Sequence, residues 1–119
     1  MILTSKKILD IHELVISNFG GIDAVLCQGT IDYLVDQINA EPDLFRKAAL
    51  ALHLVANCHP FLDGNKRSAF QIAELILSSE GCAITAKEET IIRMLLRIAS
   101  YQSQVDEVKI WLLENTNTL

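Results

Sequence analysis

What the sequence lacks narrows its class before any motif is read. It has no CxxC pair. Its three cysteines, Cys27, Cys58 and Cys82, are odd in number and far apart, which excludes the paired spacing of a zinc site. Free, buried thiols in a reducing cytosol are the expectation. It has no apolar run near the ~18 residues that span a bilayer. The apolar start is interrupted by Thr4, Lys6, Lys7 and Asp10, so neither a membrane segment nor a signal peptide is expected, and the chain reads as cytoplasmic. It has no excess of positive charge: the net charge is −5, against the basic surface of a general nucleic-acid binder. Direct nucleic-acid binding is therefore not expected. Repeats, low-complexity tracts and linkers are also missing. Half of the 119 residues are hydrophobic, enough for an ordinary core in one domain over residues 1–119, since domains commonly run to about 100–150 residues.

The apolar pattern is helical almost throughout. A first helix starts after Thr4, with Ile8, Leu9, Ile11, Val15 and Ile16 on one stripe. Gly20-Gly21 ends it, because glycine tolerates the left-handed turn that closes a helix. Residues 22–29 read as a loop, and Thr30 is the expected cap of a second helix carrying Ile31, Leu34, Val35 and Ile38. Pro42 breaks that helix and suits a new start. A third helix is expected over 43–58 and stops at Pro60. A fourth begins at Gly64 or Asn65 and runs to Ser79. It is apolar on much of its circumference, which predicts a central, buried position. Thr85 with Glu88 resembles a capping box before a fifth helix over 86–100, and Ser103 is the expected cap of a sixth. Only residues 82–85 read as a brief extended piece. The class is all-α, a compact bundle of about six helices with a loop between two central ones.

Residues 59–67 stand apart from this pattern. His59, Asp63, Asn65, Lys66 and Arg67, with Gly64 among them, sit between two strongly apolar helices. Polar groups at such a junction are costly unless they bind something or each other. The first backbone N–H groups of a helix lack internal partners, and the helix dipole adds partial positive charge there, so the start of the fourth helix favours an anion. Gly64 lets the backbone approach that anion closely. Lys66 and Arg67 oppose the dipole, an arrangement that is unfavourable unless an anion is bound. Asp63 supplies the hard oxygen that, with phosphate oxygens, commonly holds Mg²⁺. His59 precedes it by four residues, and a histidine, with an ordinary pKa of about 6.5, suits general-base work at neutral pH. Phosphoryl transfer needs little more than these parts. Phe61 is expected to turn inward and anchor the loop.

His59, Phe61, Asp63, Gly64, Asn65, Lys66 and Arg67 fall in order at the spacing of the Fic motif, HxFx(D/E)GNxR. The chain resembles the Fic/Doc family, and in particular its death-on-curing branch, in which lysine replaces the motif's second glycine. Ile11-His12-Glu13 followed by Phe19-Gly20-Gly21 is typical of that branch as well. Beyond Ser100 only helical character matches. The resemblance implies ATP as co-substrate with Mg²⁺. It implies His59 as the base that deprotonates a target hydroxyl, Asp63 as the metal holder, and Gly64 with the Asn65 side-chain amide in the anion nest. Lys66 and Arg67 would grip phosphates. Most AMP-transferring members have glycine where Lys66 stands, and many carry a second arginine where Gln71 stands. Both departures favour a Doc-like toxin that phosphorylates a protein target, a translation factor. AMP transfer, or an inactive nucleotide- or partner-binding module, is the alternative. The short stretch from Asn39 to Leu44 leaves little room for the flap that positions targets in many members. No (S/T)xxxE(G/N) inhibitory pattern occurs, so a separate antitoxin is the expected partner.

Several residues have plainer readings. His12 lies among apolar positions and reads as a hydrogen-bonded structural histidine. His53 is compatible with the site or the surface. Trp111 reads as packing. Asp32, Asp36, Glu41 and Asp43 read as a solvated acidic face, able to dock a basic antitoxin segment. Glu88-Glu89 suits the dipole at a helix start. For the motif itself, the plain reading is a surface loop with a local Asp63–Arg67 salt bridge.

Overall fold

Thr4 starts the first helix as its composition suggests: the side-chain oxygen accepts from Lys7 N at 3.1 Å in the computed structural model, which describes residues 1–119. Helix α1 runs Ser5–Phe19 and closes on Gly20, φ 87°, whose N–H reaches Ile16 O. Helix α2 spans Gln28–Asn39 and α3 spans Leu44–Cys58; α4 spans Asn65–Ser78, α5 Glu88–Ala99 and α6 Val105–Glu114. Two short strands, β1 Cys82–Ile84 and β2 Thr116–Thr118, pair antiparallel. The all-α expectation holds, with this small ribbon added.

The core is built around α3 and α4, the most extensively packed pair. Ala48, Ala49, Ala51, Ala56, Ala69 and Ala73 are fully buried along these helices, and small side chains let the backbones approach. Larger residues, Leu52, Ile72, Ile76 and Leu77, fill the remaining volume together with Ile31, Leu34 and Ile38 of α2. Helix α6 packs on the other side of α3, contributing Val108 and Leu112. The fourth helix is thus central, but Phe70 and Leu75 are only partly covered and line clefts beside α1 and α5.

Three expected caps fall elsewhere. Helix α2 starts at Gln28 with Cys27 as its flanking residue, so Thr30 lies inside the first turn. Helix α5 is flanked by Lys87 without a side-chain cap. Thr85 is taken by the ribbon, its N–H bonding Asn115 O at 2.7 Å. Helix α6 is flanked by Gln104, while the Ser103 carbonyl accepts from His53 Nε2 at 3.0 Å. That contact ties His53 to the loop before α6. The thiols are free, as expected, but Cys27 and Cys58 are exposed rather than buried. Of the four acidic residues, Asp32, Asp36 and Asp43 are exposed, as expected of a solvated face, and Glu41 is partly covered. Asp43 also caps α3 and pairs with Lys109, and Glu41 pairs with Arg46. No helix is long and apolar enough to cross a membrane.

Candidate functional site

The loop joining α3 to α4 carries the candidate residues, and it is pinned from both sides. Its anchor is Phe61, fully buried and stacked on the His12 ring with centroids 3.6 Å apart. The Asn65 side chain spans the loop: Oδ1 accepts from Phe61 N at 3.0 Å and Nδ2 donates to Phe61 O at 2.8 Å. The Asn65 amide thus clasps the loop through two of its hydrogen-bonding positions, and its backbone N–H has no acceptor within the chain. Segment 20–27 lies alongside, with Val25 bridging Phe61, Leu26 N donating to Pro60 O and Leu62 N donating to Ala24 O.

Helix α1 supplies the second hold. His12 is 1% exposed. Its Nε2 lies 2.7 Å from Asp63 O and its Nδ1 lies 3.2 Å from Asp23 Oδ1. Both ring nitrogens face oxygen acceptors, so both contacts are made together only when both carry hydrogen. The structural reading of His12 holds, and its partner is the motif itself. Two glycines make the fit close. A Cβ on Gly21, φ 112°, would lie 3.0 Å from Asp63 Cβ, and one on Gly64, φ 80°, would lie 3.2 Å from Ile16 and Val15. A side chain at either position would strain the left-handed backbone and press on Asp63, Ile16 or Val15 until they give by a few tenths of an ångström.

The start of α4 is left open. Gly64 is left-handed and supplies no side-chain cap. The first bond of the helix runs from Ser68 N to Gly64 O at 2.9 Å, and the N–H groups of Asn65, Lys66 and Arg67 meet no protein acceptor. Lys66 and Arg67 are exposed and belong to none of the ion pairs. Arg67 rests instead on the Phe19 ring, Cζ 4.2 Å from its centroid. The Asp63 carboxylate does not pair with it: Oδ2 accepts from Ile22 N at 2.8 Å. The plain salt-bridge reading of the motif is thereby overturned. Gly64, Asn65, Lys66 and Arg67 share a cleft of about 320 Å³ with Ile92, Leu95 and Leu96 of α5.

His59 ends α3 in the left-handed region, φ 49° and ψ 60°. A non-glycine residue held there costs about 1–3 kcal/mol, strain of the kind that gathers at functional sites. The ring makes no hydrogen bond within the chain, unlike His12 and His53. Asp63 keeps one carboxylate oxygen free, which fits a divalent cation held mostly by phosphate and water. No group of three His, Cys, Asp or Glu side chains is placed to hold a metal through protein ligands alone. The arrangement therefore offers an uncapped helix start, two unneutralised cations, one free carboxylate oxygen and one free imidazole on a single short loop. Sequence reading missed Phe19, although Phe19-Gly20-Gly21 was visible, because the pattern does not say where the ring lands.

Comparison with known proteins agrees with the motif. The sequence model of the Fic/DOC family matches residues 2–77, more than half of the chain and all of the loop. The chain is similar to the protein kinase doc of Escherichia phage P1, 27% identical over 88 residues that cover 69% of this chain and 70% of that protein. It is also similar to the toxin Doc of Mycolicibacterium smegmatis, 37% identical over 87 residues that cover 71% of this chain and 64% of that one.

Proposed function

The chain belongs to the Fic/DOC family, and on that premise we propose that it moves the γ-phosphoryl group of ATP onto a hydroxyl of a protein target, as a Doc-type toxin. The observation that carries this reading is the open start of α4, where three unpartnered N–H groups and two unpaired cations border one cleft. Such a cradle suits a polyphosphate. Lys66, in the place where most AMP-transferring members have glycine, favours phosphoryl over nucleotidyl transfer. The name kinase borne by one relative points the same way.

In this reading the backbone of residues 65–67, with Lys66 and Arg67, holds the phosphates in register. The Asp63 oxygen left free by Ile22 would hold Mg²⁺, which would offset charge on the phosphates. His59 takes the proton from the target hydroxyl as its oxygen bonds to the γ-phosphorus. The bond from that phosphorus to the β,γ-bridging oxygen breaks, and ADP leaves. The target class, a translation factor, and a separate antitoxin rest on the family resemblance. The test is label transfer from ATP carrying the label at the γ or the α phosphorus. Transfer from γ alone supports the proposal. Transfer from α would make the chain an AMP-transferase, and ATP binding without transfer would make it a binding module. His59→Ala is expected to lower transfer by about 10²–10⁴-fold with ATP affinity retained, since the base is not the anchor.

A further inference from the structure

Arg67 is the one functional cation whose position the structure explains, and the explanation lies on another helix. No carboxylate holds it, and the dipole of its own helix repels it. A long, exposed arginine without a partner samples many rotamers, which a ligand must then freeze. Here the guanidinium lies over the face of Phe19 at 4.2 Å. Phe19 is the last residue of α1 and is 54% exposed. It also lines, with Arg67, a second cleft of about 270 Å³.

The turn that presents this ring also holds Asp63. Directly after Phe19 come Gly20 and Gly21 at positive φ, Gly21 packs against Asp63, and Ile22 N donates to the Asp63 carboxylate. Residues 19–22 thus touch the two charged groups proposed to face phosphate and metal, one at each end of the turn. A cation resting on a ring face keeps its hydrogen-bond donors available, whereas a carboxylate partner would occupy them. We infer that Phe19 is a positioning residue: it pre-orders Arg67 for phosphate and, through the short turn whose Ile22 N–H holds the Asp63 carboxylate, sets it relative to Asp63. This rests on the phosphate-site reading given above.

Calorimetric titration with Mg·ATP tests it, with thermal unfolding as a check on the fold. Phe19→Leu is expected to weaken ATP binding by about three- to tenfold, the size of an exposed to partly desolvated cation–π contact, with little change in melting temperature. Phe19→Tyr, which keeps the ring face, is expected to restore affinity. In an Arg67→Ala background, Phe19→Leu is expected to add no further loss. Phe19→Met serves as a second non-aromatic variant if leucine disturbs the turn. Unchanged or tighter binding in Phe19→Leu, or a loss that persists without Arg67, would overturn the positioning role while leaving the phosphate site standing. Wild-type protein that does not bind Mg·ATP would overturn the phosphate-site reading and this inference with it.

Discussion

The two central helices begin in opposite ways, and the contrast separates structure from function. Helix α3 starts with a conventional cap: Asp43 accepts from Arg46 N at 2.9 Å, and Lys109 lies 3.3 Å from its carboxylate. The negative group meets the positive end of the helix. Helix α4 has a left-handed glycine without a side-chain cap at the same place. Both first turns lack an acidic residue and carry two cations, but Arg46 and Lys47 of α3 have partners in Glu41, Asp106 and the Met1 carbonyl, whereas Lys66 and Arg67 of α4 pair with no carboxylate. By the same physics it is a poor helix start. It is held by what lies beneath it: Phe61 in the core, the Asn65 clasp and the His12 contact to Asp63. Stability that a cap would give locally is supplied by tertiary packing, which leaves the N–H groups free.

The largest effect should come from removing that packing. Phe61→Ala is expected to destabilise the fold by about 3–5 kcal/mol, the usual cost of emptying a fully buried aromatic site, as read by chemical denaturation. A cost below about 1 kcal/mol would mean that α4 holds its own start, and the contrast with α3 would be lost.

At the capped end the expected cost is smaller and depends on pH. Asp43→Ala should lose about 1 kcal/mol at neutral pH, as cap deletions do. The N–H of Arg46, and then Lys109, hold the Asp43 carboxyl below the ordinary carboxylate range. A group whose pKa is depressed by folding stabilises above its unfolded pKa and loses that contribution as pH falls through its folded value. The gap between wild type and variant should therefore close in acid. A gap that persists there would show that Asp43 acts through something other than its charge.

The same contrast explains what was legible in the sequence. The spans of α1, α3 and α4 follow from apolar period and punctuation, because burial of one face decides them. The motif is legible because its residue types are chemically improbable between two apolar helices. The caps expected at Thr30, Thr85 and Ser103 do not form. A capping pattern is local, and a distant group can claim the residue first, as Asn115 claims Thr85 across 30 positions. Strand β2 is short and polar, Thr116–Thr118, and carries no alternating apolar signal. Neither the His12–Asp63 contact, 51 positions apart, nor the place of the Phe19 ring can be read from spacing, because both depend on how α1 lies against the loop. The clasp that the Asn65 side chain makes on Phe61 is likewise not legible from spacing, which gives residue types and not their partners.

The smallest stability effect carries the sharpest meaning. Lys66 is exposed, unpaired and in the first turn of α4, where a negative group is favoured. Lys66→Glu should therefore stabilise the ligand-free protein, by about 0.3–1 kcal/mol at low salt, because it replaces an unfavourable charge–dipole contact with a favourable one. The same change places a carboxylate where phosphate is proposed to sit, so affinity for Mg·ATP should fall. Stability and binding would then move in opposite directions on one substitution, whereas at Asp43 a loss of stability should leave binding untouched. If Lys66→Glu destabilised the free protein, the lysine would have a structural partner, and the open start of α4 would be an ordinary helix end. If it stabilised the protein and left ATP affinity unchanged, the physics of the helix start would stand but Lys66 would not be a phosphate ligand.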